Sequence, residues 1–131
     1  MRLLIDTHFL VWLLRKPNQV SDRERRVLER PTTSVHVSAL SLWEVRLKSE
    51  TLHRRGRDDL YPTADEAHEF AVRAGYGIHP LTAEVCGASL RHPIDHHDPF
   101  DVMMLIHAER LDARLLTRDD RLLAHPLALK P

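Results

Sequence analysis

The chain has 131 residues, 19 Lys+Arg against 19 Asp+Glu, 43% hydrophobic residues and a single cysteine. That length suits one domain, residues 1–131, able to bury roughly 70% of its unfolded surface. Zero formal net charge excludes a global basic field for nucleic acid, and a lone Cys86 excludes an internal disulfide.

In chain order, residues 3–6 read as a buried strand. Residues 7–14 read as a helix with Phe9, Leu10, Leu13 and Leu14 on one face, closed by Pro17. Ser21 caps a basic helix to about Arg30, and Pro31 ends it. A second strand spans Ser34–Ser38. Ser41 then opens a helix, with Glu44 completing a capping box, that decays into the polar stretch 53–59. Residues 65–74 form a helix stopped by Gly75 and Gly77, and a short strand covers residues 78–81. Thr82 caps a helix to about Leu90, in which Cys86 reads as a buried thiol. Residues 99–111 form the next helix, residues 113–117 the last clear strand, and Asp119 or Asp120 starts a short terminal helix. Residues 126–129 add a possible edge strand.

Strands separated by helices need crossover connections, so the expected architecture is α/β, a parallel sheet of four to five strands with helices on both faces. The apolar runs are too short to span a bilayer, and the N-terminus is broken by Asp6 and His8 with no small-residue cleavage site, so a cytoplasmic protein is expected.

Acidic residues recur where strands give way to helices: Asp6, Glu44, Asp98 with Asp101, and Asp119 with Asp120. Each has a bland explanation as a helix start, because Asp is a favoured N-cap and Pro99 suits the first helical position. Capping does not explain why every helix on one edge of the sheet begins this way. Carboxylates from those turns would meet where open α/β sheets bind ligands. A like-charged pair at 4 Å costs on the order of 4 kcal/mol at an effective dielectric of about 20, so such a cluster calls for a cation. All-oxygen ligands suit Mg²⁺ or Mn²⁺, and such an ion activates water for phosphodiester hydrolysis.

The motifs LLIDTH, SALSLWEV, HHDPFDVMMLIHAE and LLTRDD together resemble the PIN-domain ribonucleases, and more closely the VapC-type toxins of bacterial toxin–antitoxin pairs. The resemblance implies a PIN-like three-layer α/β/α fold. It implies an Mg²⁺- or Mn²⁺-dependent endoribonuclease in which Asp6, Glu44, Asp101 and Asp119 hold the metal. Thr7 and Thr117 would orient ligands or water, and Asp98 would cap its helix while able to reach the metal through water. It further implies an RNA substrate such as tRNA or rRNA, a small cognate antitoxin lying over the acidic groove, and a homodimer. Two departures stand out: Val102 follows Asp101 where a basic residue is common, and His107 replaces a small residue and reads as packed or surface rather than catalytic.

Other features are weaker. His92, Asp95, His96, His97 and Asp98 form a His/Asp loop that could bind Zn²⁺ but has no i, i+4 helical pair. Arg23, Arg25, Arg26 and Arg30 read as a solvated face. Arg54, Arg55 and Arg57 around Gly56 are the better candidates to meet RNA or antitoxin, and Trp12 and Trp43 read as core or interface residues. G-x-G-x-x-G and P-loop motifs are absent, and a receiver domain would need adjacent acids after the first strand and a late lysine. Two alternatives stay open: a PIN-like binding module without turnover, and a nuclease outside any toxin–antitoxin system. RNA shortening separates the first, and a neighbouring antitoxin argues against the second.

Overall fold

The computed structural model describes residues 1–56, 60–95 and 98–131. Strand β1 (Arg2–Ile5) alternates Leu3 and Ile5 toward one face of the sheet and Leu4 toward the other, and all three are fully buried. Helix α1 (Thr7–Arg15) follows at once, and a 3-10 turn (Pro17–Gln19) and α2 (Asp22–Leu28) lead to β2 (Ser34–Ser38). Next come α3 (Ala39–Arg54), α4 (Ala64–Arg73), β3 (Gly77–His79) and α5 (Ala83–Gly87). The chain ends with α6 (Pro99–Arg110), β4 (Arg114–Leu116), α7 (Asp120–Leu123) and the two-residue β5 (Ala128–Leu129).

The five strands pair in the order β3-β2-β1-β4-β5, every pair parallel, with Leu4 opposite His36 on one side and Leu115 on the other. One apolar cluster joins Leu3, Ile5, Val35, Val37 and Leu116 to Phe9, Leu10, Val45, Ala67 and Ala71 from α1, α3 and α4. A second joins Leu4 and Leu115 to Met104, Leu105 and Ala108 of α6 and Leu122 of α7. Sheet residues of opposite parity thus feed opposite cores, which makes the three layers expected from the alternating elements.

The order places a topological switch between β1 and β4, because the chain winds outward from β1 through β2 and β3 and then returns to β1's other side. Ligand sites in such sheets lie at the carboxyl ends of the strands flanking that switch. Here the junction is closed by the backbone, with Asp6 N–H donating to Leu116 C=O at 3.1 Å.

Several local readings change. Helix α3 begins at Ala39 with Ser38 as its N-cap, so Ser41 and Glu44 are not a capping box. Ser41 is fully buried and faces α1, and its pairing with Thr7 outweighs a terminal role. Complete boxes occur instead at Ser21–Glu24 and Thr63–Glu66. Helix α5 stops at Gly87, and Cys86 lies on its exposed side, not in the core. Trp12 packs against the first core, whereas Trp43 is 52% exposed. Of the described helices, none is long and apolar enough to cross a membrane.

Candidate metal centre

The site begins with Asp6, the residue after β1. Its carboxylate caps α1, accepting from Phe9 N–H at 3.0 Å, and is almost wholly buried. Burial raises its pKa, opposed by hydrogen bonds from the Thr117 hydroxyl and Phe9 N–H and by the charge of His8. Asp98 caps α6 through Phe100 N–H at 2.9 Å, and Asp119 caps α7 through Arg121 N–H at 2.9 Å. The capping explanation therefore holds for three of the acids.

Glu44 has no such duty. It lies well inside α3, half-buried, where its Oε1 accepts from the Thr7 hydroxyl at 2.9 Å, and Ser41 Oγ lies 3.1 Å from the same hydroxyl. Its pKa is raised, first by burial and then by the charges of Asp101, Asp6 and Asp98, while the Thr7 bond pulls it down. Carboxylates from the end of β1, from α3 and from the start of α6 thus act on one another electrostatically. Asp101 sits in the first turn of α6, where the helix dipole favours it.

Thr117, buried after β4, links the remaining acid. Its hydroxyl lowers the pKa of the Asp6 carboxylate and accepts from Asp119 N–H at 3.1 Å. Arg121 then spans Asp119 and Asp101: Nη2 lies 2.9 Å from Asp119 Oδ2 and 3.5 Å from Asp101 Oδ2. Thr7, Thr117, Asp98 and all four candidate ligands are therefore tied into one edge. As they stand, no three acidic, imidazole or thiol side chains among the described residues are placed to hold a metal ion. The donor chemistry nonetheless fits a hard divalent cation, being all oxygen, with two carboxylates whose charged forms the fold itself disfavours.

Two arginines of the TRDDR stretch escape a sequence reading. Arg121 is one. Arg118 is the other: it bonds both oxygens of buried Glu24 at 2.7 and 2.6 Å and lies 4.7 Å from the Trp12 ring centre, clasping α2 and α1 to the end of β4. Nothing but alternating charge in TRDDR hints at either role.

Beside Glu44 opens a groove of about 630 Å³ between α1 and α3, with Val11, Trp12 and Leu52 on its apolar wall and Arg15, Lys16 and Lys48 adding positive charge. Arg54 and Arg55 are exposed at the end of α3, but neither lines the groove. Arg57, His96 and His97 lie outside the described residues. His92 and Asp95 are exposed. His107 is buried, its Nδ1 2.7 Å from Ser38 Oγ, which makes it a packed histidine beneath the site.

Residues 3–126 match the family model described as PIN domain. The chain belongs to the PIN domain family. PIN domains are generally nucleases dependent on divalent metal. Among solved structures, this PIN domain is similar to a chain of VapBC2 from Rickettsia felis bound to a promoter DNA fragment. There the TM-score is 0.65 at 14% identity, covering 98% of this chain and 96% of that one. It is also similar to a chain of a toxin–antitoxin complex from Klebsiella pneumoniae, with TM-score 0.63, 17% identity and coverage of 98% and 97%. At such identities the likeness is one of fold. No curated protein sequence matches.

Proposed function

We propose that this PIN domain is a metal-dependent endoribonuclease, the toxin of a bacterial type II toxin–antitoxin pair, acting in the cytoplasm. The observation that carries the reading is Glu44: a carboxylate without a capping role, half-buried, its charged form disfavoured by burial and by the charges of Asp101, Asp6 and Asp98. Such an arrangement opposes folding unless a cation offsets it. Asp6, Glu44, Asp101 and Asp119 would hold Mg²⁺ or Mn²⁺, which when bound activates water and neutralises phosphoryl oxygen. Thr7 and Thr117 fix the orientation of Glu44 and Asp6, and Asp98 holds the start of α6 and so the direction of Asp101.

The groove beside Glu44 suits a partner with an apolar face, and its cations suit phosphate. We assign RNA, of the tRNA or rRNA class, as substrate and a small antitoxin as the protein partner. Arg54 and Arg55, exposed at the end of α3, are assigned as contacts for either, as is Arg57 from the sequence alone. A homodimer is the proposed assembly. The toxin–antitoxin complexes among the similar structures support the pairing with an antitoxin.

The test is cleavage of mixed tRNA and rRNA by antitoxin-free protein in Mg²⁺ or Mn²⁺, beside Asp6→Asn and Asp101→Asn. Asn caps helices nearly as well as Asp, so Asp6→Asn removes charge while keeping the start of α1, and Asp101 caps no helix, so Asp101→Asn leaves the α6 cap at Asp98 intact. Chelator-sensitive cleavage by the parent, lost in folded variants, is expected. Tight RNA binding with no shortening of any RNA would favour a binding module without turnover.

A further inference from the structure

The acidic edge already contains a cation supplied by the chain itself. Arg121 follows the first residue of α7, and its guanidinium grips Asp119 with two donors, Nε to Oδ1 at 3.1 Å and Nη2 to Oδ2 at 2.9 Å. The same Nη2 reaches Asp101 Oδ2, on α6, at 3.5 Å. This is the planar fork that matches carboxylate geometry and that a lysine cannot reproduce. The side chain is 60% exposed, so it packs no core and can leave without disturbing one. Its two carboxylates are also two of the four proposed metal ligands. Lone pairs committed to N–H donors are not available to a metal.

We propose that Arg121 is an intrinsic competitor of the divalent ion, clamping Asp101 and Asp119 in the metal-free protein and swinging out when the ion binds. The inference rests on the carboxylates being a metal site. Its consequence is an affinity held below what the same ligands would reach alone, so that the enzyme's metal occupancy follows the free divalent concentration. The fork, and not merely the positive charge, does the clamping.

Calorimetric titration of Mn²⁺ into chelator-stripped protein without RNA tests this, using the parent, Arg121→Gln and Arg121→Lys, each checked for folding by circular dichroism. Arg121→Gln is expected to bind roughly fivefold more tightly, the scale of one partly exposed ion pair. Arg121→Lys keeps the charge and loses the fork, and is expected to fall between Gln and the parent. Unchanged or weaker binding by Arg121→Gln would overturn the proposal while leaving the metal site intact, and so would parent-like binding by Arg121→Lys. Absence of Mn²⁺ binding in all three would overturn the metal site itself, and this inference with it.

Discussion

The Thr7 hydroxyl donates to Glu44 Oε1 across 2.9 Å, binding the residue after Asp6, the first proposed metal ligand, to the second, on another helix. This bond lowers the pKa of Glu44 against the upward push of burial and of three neighbouring carboxylates. Replacing Thr7 with Val keeps the shape and deletes the donor. Cleavage (kcat/KM) is expected to fall roughly tenfold, the lower end of losses seen when groups orienting metal ligands are removed. The acid limb of its pH profile should move to higher pH, and Thr7→Ser should restore both. An unmoved limb in Thr7→Val would show that Glu44 does not titrate with activity.

Asp6 carries a stability cost that its cap role does not require. Burial raises its folded pKa above the ordinary carboxylate value. Its contribution to stability is therefore fully present below that ordinary value and is lost as pH rises through the folded one. Metal-free Asp6→Asn keeps the cap and escapes this loss. At pH 7.5 in chelator it should melt roughly 3–5 °C above the parent, the shift of about 1 kcal/mol in a domain this size. The two should converge near pH 4, and added Mg²⁺ should raise the melting temperature of the parent far more. A variant less stable than the parent in chelator at pH 7.5 contradicts the account.

Arg118 ties three elements together through Glu24, Trp12 and Phe9. Arg118→Met leaves a buried Glu24 carboxylate without its partner. The expected destabilisation is about 2–3 kcal/mol, below the 3–5 of a fully buried pair because the guanidinium is partly solvated. Arg118 also holds the pKa of Glu24 below its ordinary value. That contribution is present above the ordinary value and is lost as pH falls through the folded one. Urea titrations at pH 7 and pH 4 should show the gap between parent and variant narrowing on the acid side.

On the α6 face of the sheet, His36 Nδ1 and His79 Nε2 lie 2.8 Å apart, and the His79 ring is 6.2 Å from that of His107. Burial lowers all three pKa values first, helped by the charge of His79 at His36 and His107 and by Arg2 at His36 and His79. Stability from this group is present above the ordinary histidine pKa near 6.5 and is lost as pH falls through the lower folded values. The urea midpoint should drop between pH 7.5 and pH 5.5, and His79→Phe should reduce that drop. Gly77→Ala should cost about 1–3 kcal/mol at either pH, because an added Cβ would stand 2.5 Å from His36 Nδ1. Equal pH dependence in the parent and His79→Phe would remove the cluster from the explanation.

Much of this architecture was legible from residues alone, for identifiable reasons. The second strand, Ser34–Ser38, is bounded by polar residues and has a clear alternation, and it lies where the pattern puts it. Asp6, Ser21, Thr82 and Asp98 cap their helices because a short polar side chain before an apolar face has few other uses. The start of α3 was misread because Ser38 and Ser41 both precede Glu44, and only tertiary contact with Thr7 decides which serine is interior. Cys86 is exposed rather than buried, and a helix as short as α5 shows too little periodicity to tell its faces apart. Convergence of the acids was readable from parallel topology. Arg118 and Arg121 were not: Arg118 finds Glu24 in a distant part of the chain, and Arg121, though it grips neighbouring Asp119, reaches Asp101 only through the fold.

The bond from Asp6 N–H to Leu116 C=O joins the first strand to one that follows most of the chain. Non-local pairing of this kind forms late, after the intervening segments have been made and packed. A growing chain therefore holds the proposed metal ligands apart until β4 has emerged and inserted beside β1.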